Sequence, residues 1–300
     1  MPYLRFASID IGSNAVRLLC SYVIESDKGP IFKKGLLARV PIRLGKETFK
    51  NGKISLRTIE NLAECMSGFK SLIKAQEIPF YRAFATSAMR DASNRDQVIE
   101  YVKKRSGITI EVISGKKEAS LISGRQLPGG FLEEEQSLFV DVGGGSTELS
   151  HRVGKEQVRA SFNLGTLRLL AHNEEPKEWE KMISWVKERG LENSKIAIIG
   201  SGGNITRVFK IKKEHYADFF FTVDSLKEFY AEIKDLPLKE RMIRYHFNPD
   251  RADVILPAIE IFLKIIECTQ SEIIYVPKSG LSDGMVRNLY RDYLEGNLTK

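Results

Sequence analysis

Two glycine turns flanked by acids concentrate the chemistry of this chain: "SIDIGSN" over residues 8–14 and "FVDVGGGSTEL" over 139–149. A turn rich in Gly and Ser exposes successive backbone N–H groups with no side chain in the way, which makes a nest for phosphate oxygens. Glycine loses more backbone freedom on folding than any other residue, so Gly143, Gly144 and Gly145 in a row call for such a return. Asp10, Asp141 and Glu148 would stand close to a phosphate held there and repel it without a cation. Oxygen donors of this kind suit Mg²⁺, often held through water. The plainer reading is that these carboxylates cap turns, and strand alternation alone does not fix the face on which Glu148 lies.

The elements that must position these turns follow from periodicity. "RFASIDIGSNAVRLLCSYVI" (5–24) reads as two β-rich runs broken at Gly12-Ser13-Asn14, a hairpin signal. Further strands are expected over 31–43 and 80–85. Leu56, Ile59, Leu62, Ala63, Met66, Phe69, Leu72 and Ile73 recur at helical spacing and predict one long amphipathic helix. A second helix is expected over 94–105, then the strand "ITIEVIS" and a third helix opening near Ser114-Gly115. The pattern restarts at "SLFVDVGGGSTELSHRVG" (137–154), followed by a strand over 155–162 and a helix from near Gly165. Asp10 and Asp141 therefore occupy analogous turns 131 residues apart. Either this is a chance pair of D-x-G turns, or two related α/β domains flank a cleft. "RADVILPAIEIFLKIIECTQ" (251–270) predicts a buried helix in which Pro257 forces a kink or a later start. Trp179 and Trp185 are expected to pack a helix rather than stack bases.

Composition bounds the rest. A chain of 300 residues, 42% hydrophobic and 28% charged, reads as globular and long enough for two domains of about 150 residues. No run reaches the roughly 18 apolar residues of a membrane span, and "MPYLRFASIDIG" has no basic leader, so neither membrane insertion nor secretion is expected. Cys20, Cys65 and Cys268 are few, far apart and outside any C-x-x-C arrangement, which points to a reducing cytoplasm and away from structural zinc or disulfides. The net charge of +7 suits polyanionic partners. "YVKKRSG" (101–107) reads as a solvated helix end, and no nucleic-acid-binding motif accompanies it.

Six ordered motifs then carry a resemblance: "SIDIGSNAVRLL" (8–19), "RAFATSAMRDASNRD" (82–96), "EVISGKKEASLISG" (111–124), "FVDVGGGSTEL" (139–149), "NLGTLRLL" (163–170) and "IIGSGGNITRV" (198–208). Together with the closing "KSGLSDGMVRNLY" (278–290), they resemble the exopolyphosphatase and guanosine pentaphosphate phosphohydrolase (Ppx/GppA) family over essentially the whole chain, in its short two-domain form. The resemblance implies an α/β fold of two related actin, Hsp70 and sugar-kinase-like domains, ribonuclease H-like, with an interdomain cleft. It divides the chain into residues 1–124 and 125–300, the last helix packing back on the first domain. It also implies removal of terminal phosphate from inorganic polyphosphate or guanosine pentaphosphate with Mg²⁺ or Mn²⁺, by a cytoplasmic monomer or homodimer with no specific nucleic-acid partner.

Residue by residue, Glu118 aligns with the glutamate that activates the attacking water. Gly12, Ser13 and Asn14 match the first phosphate loop, with Arg17 as an anion contact beyond it. Thr86, Ser87 and Arg90 match the segment lining the first domain's side of the cleft, where Arg90, counted among the expected phosphate-binding residues, either braces the segment or makes a structural salt bridge. Gly143, Gly144, Gly145, Ser146 and Thr147 match the second phosphate loop. Gly200, Ser201, Gly202 and Gly203 match a third glycine turn before a helix, a position suited to an anion. Asp10, Asp141 and Glu148 are the expected metal carboxylates.

Two departures stand out. Where family members often carry an acid before the catalytic glutamate, this chain has Lys117. With Ser114 as N-cap, Lys117 falls at N3, where glutamate would close a capping box. Lys117 either pairs with Glu118 or another nearby carboxylate, or points into solvent. Ala15 replaces a serine common after "DxGSN", removing one hydroxyl but leaving the backbone nest. Two other function classes remain: a weakly catalytic or noncatalytic phosphoanion-binding module, and a kinase, for which no acceptor-positioning base or adenine pocket has a recognisable signature.

Overall fold

The structure is a computed structural model that describes residues 3–123, 136–193, 196–212, 219–277 and 280–298. The chain divides into two compact units: Met1–Ile122 with Ser279–Lys300, and Ser123–Lys278. A boundary at 124/125 lies outside the described residues. Residues 251–298 are split between the units, because the final helix belongs to the first.

Unit 1 runs β1 (Leu4–Ile11), β2 (Val16–Ile24), β3 (Ile31–Val40), α1 (Leu44–Asn51), α2 (Leu56–Ala75), β4 (Phe80–Ala85), α3 (Ser87–Asp91), α4 (Arg95–Ser106), β5 (Ile110–Val112) and α5 (Gly115–Ser123). Its sheet has the order β3-β2-β1-β4-β5. β1, β2 and β3 form an antiparallel meander, while β4 and β5 add in parallel. Unit 2 runs β6 (Ser137–Val142), β7 (Thr147–Val153), β8 (Glu156–Phe162), α6 (Thr166–Leu170), α7 (Pro176–Lys187), β9 (Ala197–Ser201), α8 (Gly203–Lys212), β10 (Phe220–Thr222), α9 (Val223–Ile233), α10 (Leu238–Tyr245), α11 (Pro249–Ala252), α12 (Ile255–Ile266) and β11 (Ile273–Tyr275). Its sheet order is β10-β11-β9-β6-β7-β8. An antiparallel meander of β6, β7 and β8 is again followed by parallel β9 and β11, with β10 as an extra antiparallel edge. The duplicated topology turns the repeated D-x-G turns into the same β-hairpin in two α/β units.

Local sequence explains the elements. α2 presents Ile59, Leu62, Ala63, Met66, Phe69 and Ile73 as its buried stripe, and Ser55 caps it by accepting from the Thr58 N–H. β3 ends at Val40, earlier than the expected 43, because Arg43 takes a left-handed conformation (φ 58°) and opens α1. The expected helix over 251–270 is divided into α11 and α12. Pro257 lacks an N–H and clashes one turn back, so α12 starts at Ile255 and holds Pro257 in its first turn. In unit 2 the core gathers Leu138, Val140, Ile198, Phe229 and Phe262, with Trp179 and Trp185 packed against it. The final helix, α13 (Leu281–Leu294), lays Val286, Leu289 and Tyr290 on Phe6, Leu19 and Phe80 of unit 1. Among the described residues no helix is long and apolar enough to cross a membrane.

Two outcomes check this packing. Gly68 lies exposed inside α2, and a Cβ there meets nothing within 4 Å. Gly68→Ala should therefore stabilise the protein by up to about 1 kcal/mol, seen as a raised Tm. His151 on β7 is buried, its Nε2 has no hydrogen-bond partner, and burial first and then Arg189 hold its pKa below the usual value. The unfolded chain thus binds that proton more readily. The stability from neutral His151 is complete above the unfolded-state pKa of roughly 6.5 and is lost as pH falls through that value towards the depressed folded one. His151→Leu should shrink the drop in urea midpoint between pH 7.5 and 5.5.

Candidate functional site

The first turn closes the β1–β2 hairpin. Ile11 faces Val16, Asp10 faces Arg17, and the Gly12 N–H donates to the Ala15 carbonyl at 3.1 Å. The start of α1 folds over it: the Arg43 N–H donates to the Asn14 carbonyl at 3.1 Å and the Gly45 N–H to the Ser13 carbonyl at 2.8 Å. No peptide is cis among the described residues, and a trans peptide points its C=O and N–H opposite ways. Holding the Ser13 and Asn14 carbonyls on the inner side therefore aims the Asn14 and Ala15 N–H groups outward. Asp10 is 2% exposed and accepts from Arg17 Nη1 at 2.6 Å. Arg17 thus compensates Asp10 within the chain.

Glu118 stands on the same sheet edge. Asp10, Phe84 and Glu111 share one row across β1, β4 and β5, so all three parallel strands end side by side. Strand carboxyl ends are where open α/β sheets gather their ligands. β1 leads into the turn, β4 into Thr86 and α3, and β5 into α5. Ser13 and Ser87 stand Oγ to Oγ at 2.9 Å, tying the turn to α3. Arg90 Nη1 donates to the Ile113 carbonyl at 2.9 Å, which braces α3 to the end of β5. Ser114 Oγ accepts from the Lys117 N–H at 3.2 Å, the expected N-cap contact, and fixes Glu118 in the first turn of α5 at 8% exposure. Lys117 itself reaches away from the glutamate beside it. Its Nζ lies 2.6 Å from Glu111 Oε1 and 4.8 Å from the centre of the Phe84 ring.

The second turn repeats the first with tighter support. Val142 faces Thr147, Asp141 faces Glu148, and the Gly143 N–H donates to the Ser146 carbonyl at 2.9 Å. The start of α6 occupies the turn's carbonyls. Thr166 N–H donates to Gly143 at 3.0 Å, Leu167 N–H to Gly144 at 2.7 Å, and buried Arg168 donates from Nε to Gly145 at 2.9 Å. By the same trans-peptide geometry the Gly144, Gly145 and Ser146 N–H groups face outward. Gly165 makes the close approach possible, since a Cβ there would lie within 2.5 Å of Gly145 Cα. Thr147 is fully buried and its hydroxyl donates to the Leu164 carbonyl at 2.7 Å. Its hydroxyl pins the second turn from behind.

The third turn follows β9. Ser201 faces Asp141 across the parallel pair, and its hydroxyl donates to Asp141 Oδ2. Gly202 has φ +96°, a conformation that favours glycine, and sits where a Cβ would press on Asp141 Oδ1. At Gly203, the first residue of α8, a Cβ would stand 2.8 Å from Cζ of Arg251, whose Nη1 donates to Asn204 Oδ1 at 3.1 Å. A guanidinium from α11 is thereby laid on the third turn, 48 residues away in sequence (251 minus 203).

The two hairpins differ where charge matters. Arg17 in the first occupies the position of Glu148 in the second, 131 residues on. Glu148 is 4% exposed and accepts from Ser161 Oγ at 2.8 Å. Directly opposed residues of an antiparallel pair project from the same sheet face, so Asp141 and Glu148 form a pair of hard oxygen donors suited to Mg²⁺. Among the described residues no group of three or more His, Cys, Asp or Glu side chains is placed to hold a metal ion. Sequence reading did not single out Gly165, Arg168 or Arg251 for a role. Only the "GT-R" spacing within "NLGTLRLL" hinted at the first two.

Comparison with known proteins places the chain in a family. Residues 32–292 match the Ppx/GppA phosphatase family. The chain is 30% identical, over an alignment 308 positions long, to a bifunctional 3-dehydroquinate synthase/phosphatase of Fusobacterium nucleatum, covering 92% of this chain and 45% of that protein. It is 32% identical over 169 residues to exopolyphosphatase 1 of Mycobacterium leprae, covering 55% of this chain and 48% of that one. The chain thus spans about half the length of the curated relatives it matches. The Ppx/GppA family member of Aquifex aeolicus superposes with a TM-score of 0.72 at 27% identity, over 99% of this chain and 100% of that one.

Adding a methyl group at Gly165 should push the second turn out of register. Gly165→Ala is expected to lower affinity for tripolyphosphate at least tenfold by titration calorimetry. Unaltered affinity would show that the second turn takes no part in binding.

Proposed function

Because the chain belongs to the Ppx/GppA phosphatase family, we propose that it hydrolyses the terminal phosphoanhydride bond of inorganic polyphosphate or guanosine pentaphosphate. The phosphatase and exopolyphosphatase names of its relatives support that chemistry. The observation that carries the reading is Glu118, a buried carboxylate at the first turn of α5, on the sheet edge that also carries an outward N–H turn.

The steps use the chain's own groups. The outward N–H groups of the first turn bind phosphoryl oxygens of the substrate in unit 1, and unit 2 carries a nest of the same kind at its second turn. Glu118 orients a water in line with the terminal phosphorus and accepts its proton as the new P–O bond forms. The bridging P–O bond breaks, and the electron pair leaves on the shortened chain while orthophosphate is released. Phosphoryl transfer asks little covalent chemistry of a protein, so positioning and electrostatics supply most of the acceleration. A divalent cation, Mg²⁺ or Mn²⁺, would be held by Asp141 and Glu148 and would supply positive charge against the phosphoryl oxygens. Asp10 already has Arg17 as its counter-charge, which leaves the cation to the pair in unit 2. Arg251 on the third turn adds a cation for a further phosphate.

Phosphate release from long-chain polyphosphate, tripolyphosphate and guanosine pentaphosphate, with Mg²⁺ or Mn²⁺, tests the reading. Glu118→Gln should lower kcat by about 10² or more while substrate still binds. Unchanged turnover in that variant would remove Glu118 as the base. Tight binding by the folded wild type without turnover would make the protein a phosphoanion-binding module instead.

A further inference from the structure

The position of Glu118 is set from the far end of the chain. α5 is fixed at its start by Ser114 and by the Lys117–Glu111 pair on β5. Its other end rests on α13. Leu281 and Met285 of α13 pack with Ile122 of α5, Ile113 and Phe84 in one buried cluster. At the crossing, Gly284 meets the α5 backbone itself: a Cβ there would lie 2.7 Å from the carbonyl carbon of Leu121 and closer still to its oxygen. Such an approach cannot be relieved by rotating a side chain, because the obstructing atoms are backbone.

We infer that Gly284 is a positioning residue for Glu118, holding α5 at the depth that presents the glutamate to the site. Leu121 lies three residues after Glu118 in the same short helix, so the two sit within one turn and move together. α13 is a firm reference because it is tied to the sheet at several points. Ser8 Oγ donates to the Ser282 carbonyl at 2.9 Å, Lys34 pairs with Asp283 at 2.9 Å, and Arg82 pairs with Asp292. Tyr290 Oη donates to Glu25 Oε1 at 3.1 Å. A side chain at 284 would thus displace α5 rather than α13. Turns that bind phosphate stand on other elements, so binding is left intact while the base is shifted. The catalytic part of this inference rests on the role given to Glu118 above; the contact itself does not.

The test compares Gly284 inside α13 with Gly280 at its N-cap. Gly280, four residues earlier, has open space where a Cβ would stand and φ −138°, so Gly280→Ala is the control. Gly284→Ala should lower kcat at least tenfold with KM within about twofold, and hydrogen exchange of α5 amides should quicken while that of β1 and β4 stays constant. Gly280→Ala should match wild type in both. If Gly284→Ala does not fold, Met285→Ala, which removes the buried side chain beside the same crossing, should show the same split at smaller size. Unchanged kcat and unchanged α5 exchange, or a rise in KM alone, would overturn the inference. Faster α5 exchange together with a fully active Glu118→Gln would instead sink the role of Glu118 and leave the contact standing.

Discussion

A peptide carbonyl facing a phosphate repels it, and that constraint organises the candidate phosphate turn in each unit. Each D-x-G hairpin must turn its carbonyls inward, and inward carbonyls need donors. Helix starts have spare N–H groups, so each meander ends in a helix that caps the turn it belongs to. In unit 1 Arg43 and Gly45 serve Asn14 and Ser13. In unit 2 Thr166, Leu167 and the Arg168 side chain serve Gly143, Gly144 and Gly145. The same geometry explains why Gly165 must lack a side chain and why Arg43 accepts a left-handed backbone.

The fold holds two such hairpins, and charge sets them apart. Arg17 makes the first self-compensated, with Asp10 already matched. Glu148 makes the second doubly acidic, where the first sets an acid against a base. Ala15 and Ser146 differ by one hydroxyl at equivalent positions of the two hairpins, and the change leaves the backbone turn the same.

Much of this was legible in the sequence because it is local. The hairpins, the stripe of α2 and the Ser114 cap follow from spacing over a few residues. So did the repeat, since a D-x-G turn between apolar runs is visible twice. What escaped is the identity of the distant partners. Lys117 finds Glu111, which strand pairing places beneath it, and Arg90 finds a backbone carbonyl that no residue type announces. Arg251 reaches Gly203 only through the packing of α11, and Gly284 meets Leu121 only because the chain returns to unit 1 at its end. Pro257 shows the intermediate case: its effect was readable, but which of kink or late start it would impose depended on where the preceding turn could end.

The central claim is that outward N–H groups of the two turns bind phosphate while the helix starts behind them stay locked to the turn carbonyls. Amide NMR of Glu118→Gln titrated with tripolyphosphate tests it most directly. The account predicts the largest shifts at Asn14, Ala15, Gly144, Gly145 and Ser146, with the Gly45 and Leu167 amides nearly still. Shifts centred on Gly45 and Leu167, or none at either turn under saturating ligand, would contradict it.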